Sequence, residues 1–165
     1  MTGRGKTSFG GQTLEQVIRC IRLVGFSECK ASELAKAKTD MFTQKPRMLI
    51  ANMPYTTIFG TKGRREYFIK SDEWEGELEC KFQNIGGSVD EKMVYITETL
   101  KRTNLERLAV IYGGAFWKNE QRGQAVIQWL KDESERIRVD SGKELLVFDL
   151  DGFIKWVQRT WKYQP

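Results

Sequence analysis

Apolar positions along the chain recur at two spacings, and their alternation lays out most of a fold. From Thr13 onward, Leu14, Val17, Ile18, Ile21 and Val24 follow one another at the period of a helix with one buried face, and Gly25 stops it. Thr13 suits the N-cap of that helix, with Glu15 and Gln16 in its first turn, where acidic or polar groups oppose the helix dipole. Residues 30–38 read as a short helix by propensity. Pro46 and Pro54 bracket a short apolar strand around residues 47–51, and Tyr55 to Gly63 reads as turn. The period then changes to two. Residues 66–70 and 77–82 read as strands, separated by a polar turn through Ser71, Asp72 and Glu73.

Beyond the break at Gly86-Gly87, Ser88 is placed to cap a helix over 89–102. Residues 105–112 read as a buried strand ending at Gly113-Gly114. Residues 119–138 form an amphipathic helix with Val126, Ile127, Leu130 and Ile137 on one side. A strand over 144–148 and an aromatic-rich helix over 151–162 complete the chain. At helical spacing, Phe153, Trp156, Trp161 and Tyr163 suit core packing better than base stacking. Strands alternating with helices predict an α/β domain with a central mixed sheet flanked by helices. With 165 residues and no interior linker or repeat, one domain over residues 12–165 follows. Residues 1–11, rich in Gly, Lys and Arg, read as a flexible basic arm.

Composition narrows the chemistry. The sequence contains no histidine, which removes Ser-His-Asp and Cys-His nucleophile systems and His-ligated zinc. Cys20, Cys29 and Cys80 are odd in number and share no CxxC spacing, so they read as small buried hydrophobes. Catalysis, if present, rests on carboxylates, lysines, tyrosines or a cation bound by hard oxygens. No apolar run approaches the roughly 18 residues that span a bilayer. The N-terminus lacks a secretory pattern, so a cytoplasmic location is expected. The net charge of +5 is unevenly placed. Residues 1–65 hold 12 Lys/Arg against 4 Asp/Glu, whereas residues 66–165 hold 15 against 18. A basic half beside a mildly acidic one points to a polyanionic partner.

The strand Glu77-Leu-Glu-Cys-Lys-Phe-Gln83 carries the candidate chemistry. Side chains alternate across a strand, so Glu77, Glu79, Lys81 and Gln83 share one face and Leu78, Cys80 and Phe82 the other. An arbitrary Glu-x-Lys in a strand is usually a solvated ion pair that contributes little. If the preceding strand pairs antiparallel, however, Glu66 at its start can approach Glu79. Two carboxylates, water and a phosphate oxygen make a suitable shell for Mg²⁺.

The runs Pro54-Tyr-Thr-Thr-Ile-Phe-Gly-Thr-Lys-Gly-Arg-Arg-Glu-Tyr-Phe-Ile, Glu77-Leu-Glu-Cys-Lys-Phe-Gln and Gly87-Ser-Val-Asp-Glu-Lys resemble the PD-(D/E)XK nuclease superfamily, in particular bacterial and phage members. A basic arm before an acidic first helix is also similar to junction resolvases of that superfamily. The resemblance implies a restriction-endonuclease-like core (αβββαβ) and a metal-dependent DNA endonuclease, using Mg²⁺ with Mn²⁺ as a substitute. Glu66 falls where the family usually has its first metal-binding Asp, a departure. Glu79 matches the second acidic ligand and Lys81 the motif lysine. Glu15 matches an acidic residue of the first helix that helps hold a metal-bound water, and Gln83 a polar residue just beyond the lysine. Arg4 and Lys6 in the arm, Lys62, Arg64 and Arg65 before the first catalytic strand, and Lys92 would hold DNA phosphates. Asp90 and Glu91 suit a helix N-terminus. A duplex cutter of this kind is expected as a homodimer. Two other readings stay open: a degenerate DNA-binding module of the same fold, and a carboxylate-based nucleotide hydrolase without DNA affinity.

Overall fold

The computed structural model describes residues 9–34 and 47–162. Six described strands form one sheet whose spatial order equals their order along the chain: β1 (Ser27–Lys30), β2 (Met48–Thr56), β3 (Lys62–Lys70), β4 (Gly76–Phe82), β5 (Arg107–Gly113) and β6 (Glu144–Asp149). β1 and β2 run parallel, β2–β3 and β3–β4 antiparallel, and β4–β5–β6 parallel. The sheet is therefore mixed, as the alternation of elements predicts. The described helices are α1 (Phe9–Leu23), α2 (Ala31–Leu34), α3 (Val89–Arg102), α4 (Ala115–Asn119), α5 (Gln121–Ser141) and α6 (Leu150–Thr160).

Two apolar cores sandwich the sheet. Val17 and Ile21 of α1 pack with Phe153 and Val157 of α6 against Ile69, Leu78 and Ile111 on one face. Met93 and Leu100 of α3 and Leu130 and Ile137 of α5 cover Leu108, Val110 and Leu145 on the other. Because β4, β5 and β6 are parallel, each link between them needs a crossover, and α3 and then α4–α5 supply both on that second face. The C-terminal aromatics are core, as their spacing predicts: Phe153 and Trp161 are fully buried, and the Trp161 Nε1–H donates to Ser71 Oγ at 2.9 Å. Tyr163 lies outside the described residues.

Several boundaries differ from the sequence reading. α1 begins at Phe9 with no acid in its first turn, so Thr13 is a buried second-turn residue rather than its cap. β1 was not expected: Ser-Glu-Cys-Lys is too short and mixed to show a period, and pairing with β2 makes it a strand. Of the helix expected over 30–38, Ala31–Leu34 is helical and residues 35–38 lie outside the described residues. β2 runs through Pro54. β1 pairs only with Met48–Ala51, so β2 has an open side at Pro54, where a missing N–H costs no ladder bond. The helix expected over 119–138 is one helix, Gln121–Ser141, and a short unexpected helix, Ala115–Asn119, precedes it with Glu120 between them. Gly123 lets α5 press on α4; a Cβ there would lie 2.3 Å from the Phe116 carbonyl oxygen. Ser88 occupies the N-cap position of α3, but its side chain makes no capping bond. The three cysteines are free thiols and partly buried, less enclosed than expected.

Candidate active site

β4 presents Leu78 to the α1–α6 core, with Cys80 and Phe82 packed against its margin. By alternation Glu77, Glu79 and Lys81 face the other way, toward the α3 side. The strand changes its neighbours halfway along. Glu77 and Leu78 are paired on both sides, with β3 and with β5, and Gly76 with β3. From Glu79 to Phe82 only β5 pairs, because the β3 ladder ends at Tyr67↔Leu78. A notch opens there between the two strands. Continued by one step, the register would set Glu66 opposite Glu79.

The notch comes from a distortion in β2 and β3. Their ladder skips the pair Asn52 and Glu66 between Ala51↔Tyr67 and Met53↔Arg65, and Asn52 has φ 56°, a left-handed value that non-glycine residues rarely adopt. Strict alternation would put Arg65 with Ile69 on the α1 side. Instead its Nε donates to Glu77 Oε2 at 2.6 Å, on the face where Phe68 packs. The hairpin therefore reverses its facing between Arg65 and Tyr67. Such irregularities re-aim side chains and end pairing beside functional sites.

Two ion pairs result on one strand face. Arg65 and Glu77 are both buried, with side chains 7% and 10% exposed. The Tyr55 ring lies under the Arg65 guanidinium at 4.4 Å. Burial pushes the Glu77 carboxyl up to about 7; Arg65 opposes that rise and the Glu79 charge adds to it. Burial likewise pushes the Tyr55 phenol up to about 12, and its hydrogen bond with Tyr95 of α3 adds to the shift. The second pair joins Lys81 to Glu79 within the strand, nearer solvent, with side chains 21% and 12% exposed. Burial raises the Cys80 thiol, and the carboxylates of Glu66 and Glu79 both raise it further, so both acids act on the one residue between Glu79 and Lys81.

Of the residues expected at the site, the structure brings Glu79 and Lys81 together and sets Glu66, exposed, at the notch. Gln83 lies just beyond. Its main chain is clamped to the end of β5, with its N–H bonded to Gly113 O at 2.9 Å and its carbonyl accepting from Phe116 N–H at 3.2 Å. Gly114 makes this approach possible: φ is +104°, and a Cβ would sit 2.2 Å from the Gln83 oxygen. The Gln83 side-chain Oε1 is buried with no hydrogen-bond partner.

Two expectations need correction. Arg65 is interior and occupied by Glu77, so it is not a surface phosphate ligand. Glu15 is exposed on α1, about half a turn from buried Val17, and α1 packs on the opposite side of the sheet from Glu79 and Lys81. It is not brought to them. Glu77, read from the sequence only as a member of the polar face, is the anchor of the buried pair; its signal was its shared parity with Glu79 and Lys81. Lys62, Arg64 and Lys92 are exposed, whereas Arg4 and Lys6 lie outside the described residues. Asp90 and Glu91 fill the first turn of α3 as expected, and Arg122 donates to both oxygens of Asp90 and holds its carboxyl below the usual range.

Among the described residues no three acids, cysteines or histidines gather as a ready-made metal cage. The donors at the notch nonetheless suit a hard divalent ion that keeps several waters. They are the carboxylates of Glu66 and Glu79 and the unsatisfied Gln83 oxygen, an acceptor awaiting a donor such as a bound water.

No curated protein and no solved structure matches the chain significantly. A family model described as a PD-(D/E)XK nuclease superfamily domain matches residues 6–161, which takes in α1, all six strands and the Glu79-Cys80-Lys81 motif. With nearly the whole chain matched and a helix-flanked mixed sheet of the restriction-endonuclease-like type, this protein belongs to the PD-(D/E)XK nuclease superfamily.

Proposed function

We propose that this nuclease is a divalent-metal-dependent DNA endonuclease hydrolysing phosphodiester bonds, with Mg²⁺ as its ion and Mn²⁺ able to substitute. The observation that carries this reading is the placement of Glu79 and Lys81 side by side on the stretch of β4 that β3 leaves unpaired. Glu66 and Glu79 are the residues that would hold the cation. Bound there, such an ion supplies charge neutralisation on the phosphate and a more acidic water. Lys81, released from Glu79, turns its ammonium to the scissile phosphate, stabilises the growing negative charge and orients the attacking water. The Gln83 Oε1 accepts from that water. Lys62, Arg64 and Lys92 grip flanking phosphates, joined by Arg4 and Lys6. Double-stranded or branched DNA is the substrate, and a homodimer supplies one centre per strand. The setting is the cytoplasm of a bacterium, or of one infected by a phage or invaded by a mobile element.

Glu66 in place of the family's Asp favours one second reading, a DNA-binding module that no longer cuts. Nicking of supercoiled plasmid in Mg²⁺ or Mn²⁺ separates the two. Wild type should nick only with the ion, and Glu79→Ala and Lys81→Ala should each lose at least about 100-fold in rate, the scale of one transition-state contact. DNA binding without nicking in either ion would establish the module instead.

A further inference from the structure

The turn joining β2 to β3 displays an aromatic ring that the site described above does not use. Phe59 is 76% exposed at the hairpin tip. An exposed apolar side chain alone means little. This one is mounted on a built turn. Thr57 N–H donates to Thr61 O at 2.8 Å, and Gly60 N–H to Thr57 O at 2.9 Å. The Thr57 hydroxyl oxygen accepts from the N–H groups of Phe59 and Thr61 at 3.3 and 3.2 Å. One face of the Phe59 ring stacks on Tyr95 of α3, with centroids 6.2 Å apart and planes 26° apart.

That stack is wired to the notch. Tyr95 bonds to Tyr55, Tyr55 lies against Arg65, and Arg65 holds Glu77 two residues before Glu79. Cations stand close to it along the chain. Lys92 precedes Tyr95 by one helical turn, and Lys62 and Arg64 leave β3 just past the tip; all three are exposed and outside the ion pairs of the described residues. Acids stand nearby as well: Glu91 in the same turn of α3 as Lys92, Glu98 one turn past Tyr95 and paired to Lys101 and Arg102, and Glu66. A flat ring with a solvent-facing side, among cations that can take phosphates, matches a nucleobase taken out of its stack.

We propose that the Phe59–Tyr95 stack receives an unstacked base, so that the preferred substrate carries an unpaired or separated nucleotide beside the cut. This rests on the nuclease reading and specifies its substrate. A continuous duplex keeps its bases inside and offers the ring no partner. A bulge, gap or branch does, and Lys62, Arg64 and Lys92 hold the phosphates on either side.

The test is fluorescence anisotropy of the full chain in EDTA, which prevents cleavage. The probes are a matched duplex and the same duplex with one unpaired nucleotide. Wild type should bind the second more tightly. Phe59→Ala should lower that preference by about 5-fold or more, the scale of one base–aromatic stack, and Phe59→Trp should keep it. A preference unchanged in Phe59→Ala overturns the proposal, as does an equal loss on both probes, which would mark a general grip. Wild type that binds neither DNA in EDTA, nor with Ca²⁺ supplied in place of Mg²⁺, removes the nuclease reading as well. An intact thermal unfolding midpoint shows that the alanine variant is folded.

Discussion

Glu77 and Glu79 sit two residues apart on the same face of the same strand, each paired to a cation, yet they occupy different physical worlds. Glu77 lies where β4 has a neighbour on both sides, and its cation comes from β3. Glu79 lies one step past the end of the β3 ladder, and its cation comes from its own strand. The first pair is enclosed and has nothing to exchange with. The second can part, because a phosphate can replace the carboxylate at Lys81 and a metal can replace the ammonium at Glu79. One strand thus carries a fixed ion pair and an exchangeable one, and what divides them is where its neighbour peels away.

The sharpest break of this comparison is in stability. Arg65→Ala removes the cation that opposes the rise of the buried Glu77 carboxyl, which must then either stay charged without a partner or take up a proton. The cost should therefore grow with pH toward a ceiling of about 3–5 kcal/mol, on the order of 10 °C in Tm. Lys81→Met removes the cation of Glu79, which is itself buried but lies nearer solvent than Glu77, so it should cost less than Arg65→Ala while abolishing cleavage. Urea denaturation of both variants reads the contrast. Equal destabilisation would mean that the two pairs do not differ as described.

The same enclosure sets a pH dependence. Glu77 is pushed up to about 7, burial outweighing Arg65, against an ordinary value of 4.5. Between these values the folded protein holds a proton that the unfolded chain has released. Its contribution to stability is therefore complete below about pH 4.5 and declines as pH rises toward 7, by at most about 1.4 kcal/mol per pH unit. Glu77→Gln should flatten this slope in denaturation curves taken across that window. The cost of Arg65→Ala should also shrink on acidification, since a protonated Glu77 needs no partner.

A smaller effect separates buried from surface cations on DNA. Lys62→Ala and Arg64→Ala should each weaken binding and reduce the slope of log K against log salt by about 1, the signature of one lost phosphate contact. No change in slope for either would place the DNA on another surface.

Part of this contrast was legible in the sequence. Alternation in Glu77-Leu-Glu-Cys-Lys-Phe put the acids and the lysine on one face, and the structure keeps them there. The same rule misplaces Arg65, because it presumes a regular pleat. The left-handed residue at Asn52 and the skipped pair at Glu66 turn the hairpin over. No local signal announces such a reversal; asparagine merely tolerates the conformation better than most residues. β1 was invisible for a related reason, since four residues of mixed polarity become a strand only through a partner at Met48–Ala51. Helix and strand types follow from local chemistry. Which side of the sheet a helix covers does not.

Glu15 makes that last point testable, and its expected effect is the smallest. Its place near the start of the first helix matched a family position that helps hold a metal-bound water. In the fold, Val17 and Ile21 commit α1 to the core behind Leu78, and the helical turn then points Glu15 to solvent. Glu15→Gln should therefore leave both the nicking rate and its Mg²⁺ dependence within about twofold of wild type, as for a surface substitution worth less than ±0.5 kcal/mol. A loss of tenfold or more, or a raised requirement for Mg²⁺, would mean that α1 reaches the metal after all, and that the buried and open pairs of β4 are not the whole of the site.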